Sequence, residues 1–215
     1  SMDPRFLLVI AALFWSSGGV LIKSVEAGPL AVAGLRSLVA ALCFIIAFRP
    51  KLWPLTKIQV AGALSYAATV LCFVTATKWT SSANAILLQS TAPIHVALLG
   101  SIYLKEKINR IDWITIAFVF VGMLCFFQGQ MSLDGMRGNV LGLVSGLAFA
   151  IFILITRKHH NQSSITMIAL GNILAAVLTL PFALQQQIPS VADFKILFFL
   201  GVFQLALPYA LYSKA

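Results

Sequence analysis

Charged residues are scarce in this sequence, and carboxylates are the scarcest of them. Only 10% of the 215 residues are charged, with six Asp and Glu against fifteen Lys and Arg, whereas about a quarter of a soluble domain is typically charged. The sequence is 60% hydrophobic, and its mean hydropathy is +0.96. This composition excludes an ordinary soluble domain, because a soluble core does not accommodate so much apolar sequence.

Recognisable catalytic and metal-binding motifs are also missing. No Walker A, HExxH or GxSxG sequence occurs, so ATP hydrolysis and proteolysis have no basis in the sequence. Cys43, Cys72 and Cys125 lie in separate apolar runs without CxxC or Cys/His spacing, and we interpret them as small packing side chains. The sequence predicts a non-enzyme without metal or cofactor, although polar residues at mid-depth leave an enzyme acting on lipid open.

The net charge of +9 would suggest a nucleic-acid partner in a soluble protein. Here the cations lie at the ends of apolar runs, and no basic face with interleaved aromatic residues is present. We therefore expect no nucleic-acid partner and assign the cations a role in membrane topology.

Eight apolar runs approach the roughly 20 residues that a helix needs to cross a bilayer. The connections are short, so consecutive helices should be antiparallel neighbours. The predicted spans are 6–22, 29–48, 58–77, 83–104, 113–128, 139–156, 165–184 and 194–212.

Cations are distributed unequally between the two ends of these spans. With the N-terminus in the cytoplasm, ten cations fall on the cytoplasmic side and four on the other side, in agreement with the positive-inside tendency. Arg36 remains within a span. The four outer cations are Lys23, Lys78, Arg137 and Lys195.

The chain also matches itself weakly at an offset of 134 to 139 residues. The segment 12–15 with Lys23 aligns with 146–149 and Arg157, and five spans separate the copies. An odd number of spans inverts the second copy. We predict a first repeat over 1–130 and an incomplete inverted repeat over 137–215. The further aligned pairs are Arg36 with Asn172, Gly62 with Gly201, Ser65 with Gln204, Phe73 with Tyr212 and Ala76 with Ala215.

Residues 77–130 have no counterpart after Ala215, and roughly 60 to 80 more residues would complete the second repeat. Three explanations stay open: the chain is truncated, its end lies beyond this sequence, or another chain completes the bundle.

The run AILLQSTAPI at 85–94, followed by YLKEKI at 103–108 and Gly122, resembles the EamA family of the drug/metabolite transporter superfamily. Trp15, Lys23, Arg36 and the stretch from Ala76 to 81–84 also match, whereas Lys105 departs from the glycine usual before Glu106. The resemblance implies an all-α integral membrane protein of ten helices in two inverted five-helix repeats, of which about eight are present. It also implies a central cavity lined by the first, third and fourth helices of each copy.

Polar residues of the fourth span predict one wall of this cavity. Asn84, Thr91 and His95 fall within about 40° of one another at about 100° per residue, and Pro93 should kink the helix beside them. The alternative is that Asn84 and Thr91 hydrogen-bond neighbouring helices. His95 is either a proton-sensing group or a packing side chain.

Aromatic and polar residues elsewhere complete the candidate site. Arg36 is assigned a structural role or a charge that meets an anionic substrate group or helix-end carbonyls, and snorkelling is a further alternative. The aromatic residues otherwise pack between helices. The remaining substrate-binding candidates are Trp15, Tyr66, Phe73, Phe149, Gln204 and Tyr209.

The sequence predicts a secondary or facilitated transporter in the cell's inner (plasma) membrane that exports small polar metabolites, such as amino acids, by alternating access. Its partners would be the lipid bilayer and a small-molecule substrate, and the oligomeric state is left open. The alternative function is a non-transporting or partner-dependent membrane protein that lacks the last two helices.

Overall fold

A computed structural model describes residues 4–127, 135–183, 185 and 189–214, and all its regular elements are helices. The predicted ends of the fifth and seventh spans, Gln128 and Leu184, and the pairing of Ala215 lie outside these residues. The helices are α1 (Pro4–Ser16), α2 (Gly18–Ser24), α3 (Pro29–Phe48), α4 (Lys57–Trp79), α5 (Ser82–Gln89), α6 (Ala92–Tyr103), α7 (Arg110–Phe127), α8 (Met136–Lys158), α9 (Ser164–Ala183), α10 (Val191–Phe199), the π-helical segment Leu200–Ala206 and α11 (Leu207–Lys214).

Seven helical stretches are long and apolar enough to cross a bilayer, and α7 occupies the position of the predicted fifth span. The prediction of a helical protein with several membrane spans is therefore confirmed. The seven stretches are Phe6–Ser24, Pro29–Phe48, Lys57–Trp79, Ser82–Tyr103, Met136–Lys158, Ser164–Ala183 and Val191–Tyr212.

Local capping explains why the connections between spans are short. Thr56 and Gln59 form a capping box at the start of α4, and Ser190 and Asp193 form another at the start of α10. Ser81 accepts a hydrogen bond from the backbone of Asn84 at the start of α5. These side chains satisfy backbone N–H groups that a helix leaves unpaired at its N-terminus.

Three of the spans are interrupted near the middle. The first breaks at Ser17, the fourth at Ser90 and Thr91, and the eighth widens into the π-helical segment just before Pro208. A proline has no N–H to donate to the carbonyl four residues earlier, which for Pro93 is that of Gln89. The prediction of one kinked helix over 83–104 was wrong in one respect: the regular series of backbone hydrogen bonds is interrupted at Ser90 and Thr91, and two helices, α5 and α6, form.

The core lies where α4 packs against both α8 and α9, with α3 crossing α9 behind them. The π-helical segment packs on α3, and α11 packs on α1. On the other side of α8 lie α5 and α6. This arrangement encloses a space between the broken spans and α8.

Candidate functional site

A cavity of ≈ 330 Å³ lies at the centre of the bundle, between the first, second, third, fourth, sixth and eighth spans. Its volume falls in the range of about 300–1,000 Å³ that is usual for small-molecule sites. The predicted residues on its wall are Trp15, Arg36, Phe73, Pro93, Phe149, Gln204 and Tyr209, and they come from both halves of the sequence.

Aromatic rings from four spans form one edge of the cavity. Trp15 packs edge-on against Tyr209, with ring centroids 5.1 Å apart, and against Phe149 at 6.0 Å. Tyr66 packs edge-on against Tyr209, with ring centroids 4.7 Å apart. Edge-to-face pairs of this kind fix ring orientation. Tyr66 is thus a buried neighbour of the cavity lining and does not contribute to the lining itself.

Arg36 lies in this wall and is 1% exposed. Its Nη1 donates to Gln204 Oε1, while its Nε has no hydrogen-bond partner within the described part of the chain. The π-helical segment presents Gln204 to it, and Gly18 leaves the space that the Gln204 side chain occupies. A wide helical turn and a residue without a side chain therefore position this polar pair.

The break in the fourth span is held against α8 by polar contacts. Gln89 Nε2 donates to Ser145 Oγ at 2.8 Å, and Ser145 Oγ donates to the Thr69 carbonyl at 2.9 Å. An ideal Cβ placed on Gly146 would lie 2.8 Å from Thr91 Oγ1 and 2.9 Å from the Gln89 carbonyl oxygen. Only glycine allows α8 to approach the interrupted backbone this closely.

Asn84, Thr91 and His95, predicted to share a face of the fourth span, do not lie together on the cavity wall. Asn84 Nδ2 contacts Thr80 Oγ1 at 3.2 Å and Asn139 Oδ1 at 3.3 Å, at the end of the bundle. Thr91 Oγ1 donates to the Leu88 carbonyl at 2.6 Å and lies 3.3 Å from His95 Nε2. The prediction assumed one regular helix that turns by a constant angle per residue. The helix is interrupted between α5 and α6, so residues before and after the interruption do not share one face.

The end of the bundle that carries Lys23, which we call the Lys23 end, is closed by hydrogen bonds between spans. Lys23 Nζ donates to the carbonyls of Thr77, Lys78 and Thr80 at 3.0, 3.2 and 2.5 Å. Lys78 Nζ donates to the Val25 carbonyl. The ammonium groups thus satisfy carbonyls at the C-terminus of α4, where a cation is also favoured by the helix dipole.

A second cavity of ≈ 400 Å³ extends toward the opposite end, which we call the Arg157 end. It shares Ala92, Pro93 and Phe149 with the central cavity, so the two spaces adjoin. Arg157 Nη2 and Glu106 Oε2 form an exposed ion pair at 3.0 Å on its rim. The second cavity therefore extends the central one toward the Arg157 end, whereas the Lys23 end carries hydrogen bonds between α2 and α4.

Sequence reasoning missed four polar residues of the central wall: Ser16, Thr69, Gln89 and Ser90. Gln89 and Ser90 precede Pro93 within the motif run, and a proline four residues downstream was the signal that could have identified them. Thr69 was assigned to a packing face of α4, and its carbonyl does bond to Ser145. Within the described residues no cluster of His, Cys, Asp or Glu could hold a metal ion.

The sequence matches the model of the EamA-like transporter family over residues 5–128 and 136–215. It is 26% identical to the threonine/homoserine exporter RhtA of Salmonella typhimurium, over 97% of this chain and 72% of that protein. It is 27% identical to an uncharacterized transporter of Archaeoglobus fulgidus, over 84% of this chain and 67% of that protein.

One solved crystal structure has the same fold, with a TM-score of 0.74 at 13% sequence identity, over 98% of this chain and 78% of the other. The broken helices around a central cavity, the predicted motif residues and these matches lead to one conclusion: the chain belongs to the EamA-like transporter family and is a membrane transporter with several spans.

Proposed function

We propose that the protein exports small polar metabolites, amino acids among them, by alternating access through the central cavity. The observation that carries this proposal is a cavity built by both halves of the sequence and differently bounded at its two ends. Broken helices at mid-membrane expose backbone and polar groups to a solute, as is common in transporter sites. The threonine/homoserine exporter among the relatives supports amino acids as substrates.

The packing of the helices supports two inverted repeats, over 1–130 and 137–215. In this relation the third span, α4, is equivalent to the eighth span. α4 packs on the first two spans of the second repeat, α8 and α9, and the eighth span packs on the first two spans of the first repeat, through α1 and α3. Polar contacts also join the equivalent pairs of spans: Asn172 Nδ2 of the seventh span donates to Tyr66 Oη of the third at 3.0 Å, and Arg36 of the second span donates to Gln204 of the eighth. Rocking of one repeat against the other would move the closure from the Lys23 end to the Arg157 end.

The charge distribution supports an inner-membrane orientation with the N-terminus in the cytoplasm. In that orientation the Lys23 end faces outward and the cation-rich Arg157 end faces the cytoplasm. In this orientation the second cavity extends from the central cavity toward the cytoplasm. An exporter takes up its solute from the cytoplasm in a conformation of this kind.

Flux into proteoliposomes tests the transport proposal. We expect radiolabelled L-threonine and L-homoserine to cross with saturable kinetics, since each turnover requires binding to a limited number of sites. Trp15→Ala should lower the flux strongly because Trp15 lines the cavity, whereas Trp113→Ala should not because Trp113 is exposed on α7. Flux that rises linearly with concentration, or that is equal in both variants, would contradict a carrier.

The alternative function has one observation in its favour. α5 and α6 cover α8, but the described residues supply no equivalent pair along the first span, where Val9 and Leu13 of α1 and Val20 of α2 are exposed. A non-transporting or partner-dependent protein would bind solute without moving it until another helix pair covers α1. Saturable ligand binding in detergent together with absent flux in liposomes would favour this alternative.

A further inference from the structure

The guanidinium of Arg36 is buried in the cavity wall, where the described residues supply a single acceptor and no counterion. Gln204 Oε1 accepts from Nη1, and Nε has no partner among the described residues. An arginine remains charged at neutral pH and carries five N–H donors. Most of the hydrogen-bonding capacity of Arg36 is therefore left for an acceptor that the surrounding residues do not supply.

Acidic side chains that could neutralise Arg36 lie elsewhere. Glu26 and Asp193 are at the Lys23 end, where Asp193 Oδ1 accepts from the Glu26 backbone, and Glu106 and Asp112 line the second cavity. The sequence places the remaining two acids before the first span and between the fifth and sixth. A buried charge is costly unless it is paired. The central cavity itself is the place from which a counterion can reach Arg36.

A second unsatisfied donor lies on the same wall. Trp15 Nε1 is buried without a hydrogen-bond partner among the described residues, and the Trp15 ring is held edge-on by Phe149 and Tyr209. The other buried polar atoms without partners are Ser37 Oγ, Asn84 Oδ1 and Asn172 Oδ1, and these residues do not line the cavity. Among the buried side-chain atoms of the described lining, those without a partner are thus donors, which favours an anionic ligand.

We propose that Arg36, assisted by the Trp15 indole N–H, binds the carboxylate of the transported solute. A guanidinium fork matches the two oxygens of a carboxylate. A single buried cation matches a monoanion, whereas a phosphate dianion would lack a second cation among the described lining residues. This inference rests on the proposed transport function and narrows its substrates to small carboxylates.

Binding to the purified wild-type protein in detergent tests the inference with three probes. L-Threonine carries both charged groups, L-threoninamide lacks the carboxylate, and 3-hydroxybutyrate lacks the ammonium group. We expect L-threonine to bind at least about tenfold more tightly than the amide, because a hydrogen-bonded charge is lost, and 3-hydroxybutyrate to raise the melting temperature. Equal affinity for the amide, or no binding of either carboxylate, would overturn the inference.

Variants of Arg36 provide the second measurement. Arg36→Gln should abolish the preference for the carboxylate, and Arg36→Lys should retain part of it because a lysine supplies charge without the planar fork. Arg110→Gln is the matched control, since Arg110 is exposed at the start of α7. An unchanged preference in Arg36→Gln would overturn the inference. If that variant does not fold, Trp15→Phe should still weaken L-threonine binding more than L-threoninamide binding.

The two proposals fail in different ways. Saturable flux of L-threonine with equal affinity for its amide would remove the role of Arg36 and leave transport intact. Carboxylate binding that depends on Arg36, without any flux, would leave the role of Arg36 intact and contradict the proposed transport.

Discussion

At the residue scale, Gly146 determines how closely α8 approaches the break in the fourth span. A methyl group there would contact Thr91 Oγ1 and the carbonyls of Leu88 and Gln89, and backbone carbonyls cannot turn aside as a flexible side chain can. We expect Gly146→Ala to lower the free energy of unfolding by about 1–3 kcal/mol, as overpacking usually does. Denaturant unfolding in micelles measures this change.

Gly122 is the matched control for that substitution. It lies on α7, where an added Cβ would meet no atom within 4 Å. Gly122→Ala should change the stability by less than about 1 kcal/mol, in the stabilising direction, because alanine is the better helix former. A larger loss at Gly122 than at Gly146 would show that close packing at the break is unimportant.

Single residues of the site were predictable where their chemistry conflicts with a lipid environment. Trp15, Arg36 and Gln204 were selected because aromatic, charged or polar groups at mid-depth need a partner or a cavity, and the structure places all three on the wall. Asn84 satisfies the same criterion but finds Thr80 and Asn139 at the bundle end. Composition identifies residues that need a partner, but only the tertiary packing decides which partner they meet.

At the scale of elements, seven of the eight predicted spans correspond to described helical stretches that are long and apolar enough to cross a bilayer, because the length of a span follows from the thickness of the bilayer. The interruptions could not be predicted in detail, because hydropathy reports side chains and not backbone hydrogen bonds. Pro93 indicated a distortion, yet whether a helix bends or divides depends on what α8 offers the released carbonyl. The π-helical segment depends likewise on Gly18, which lies far away in the sequence and makes room for Gln204.

Pro93 is therefore expected to control the shape of the fourth span. Pro93→Ala restores an N–H that can donate to the Gln89 carbonyl, which would let α5 and α6 join and move Gln89 and Ser90 from the wall. We predict several-fold slower flux of L-threonine in proteoliposomes with an unchanged or higher melting temperature. Pro181→Ala, in the exposed last turn of α9, should preserve flux. Normal flux in Pro93→Ala would show that the division of this span is not needed.

For the whole molecule, Lys23 is expected to stabilise the state that is closed at the Lys23 end. Its ammonium donates hydrogen bonds to three carbonyls near the end of α4, and a charged donor forms stronger hydrogen bonds than a neutral one. Lys23→Met should therefore populate a conformation open at this end. The readout is labelling of Ser16→Cys, a cavity position, by a membrane-impermeant thiol reagent in a background with the three native cysteines replaced.

The control for this experiment is Lys195→Met, since Lys195 is exposed at the same end. Reagent added outside intact cells should label the Lys23→Met variant faster than the parent or the control. Faster labelling only from the cytoplasmic side would contradict the proposed orientation and leave the role of Lys23 intact. Equal rates in all variants would contradict the role of Lys23 alone.

The Arg36 guanidinium in the cavity wall, which has no counterion among the described residues, also affects whether cations can leak through the protein down the ion gradients of the membrane. A fixed positive charge in a medium of low dielectric constant repels sodium ions and protons, as an arginine does in pores that must exclude cations. Where Arg36 faces the path, a solute can pass while small cations meet an electrostatic barrier. The residue that we propose to bind the carboxylate would thereby also reduce the leakage of cations through the transporter.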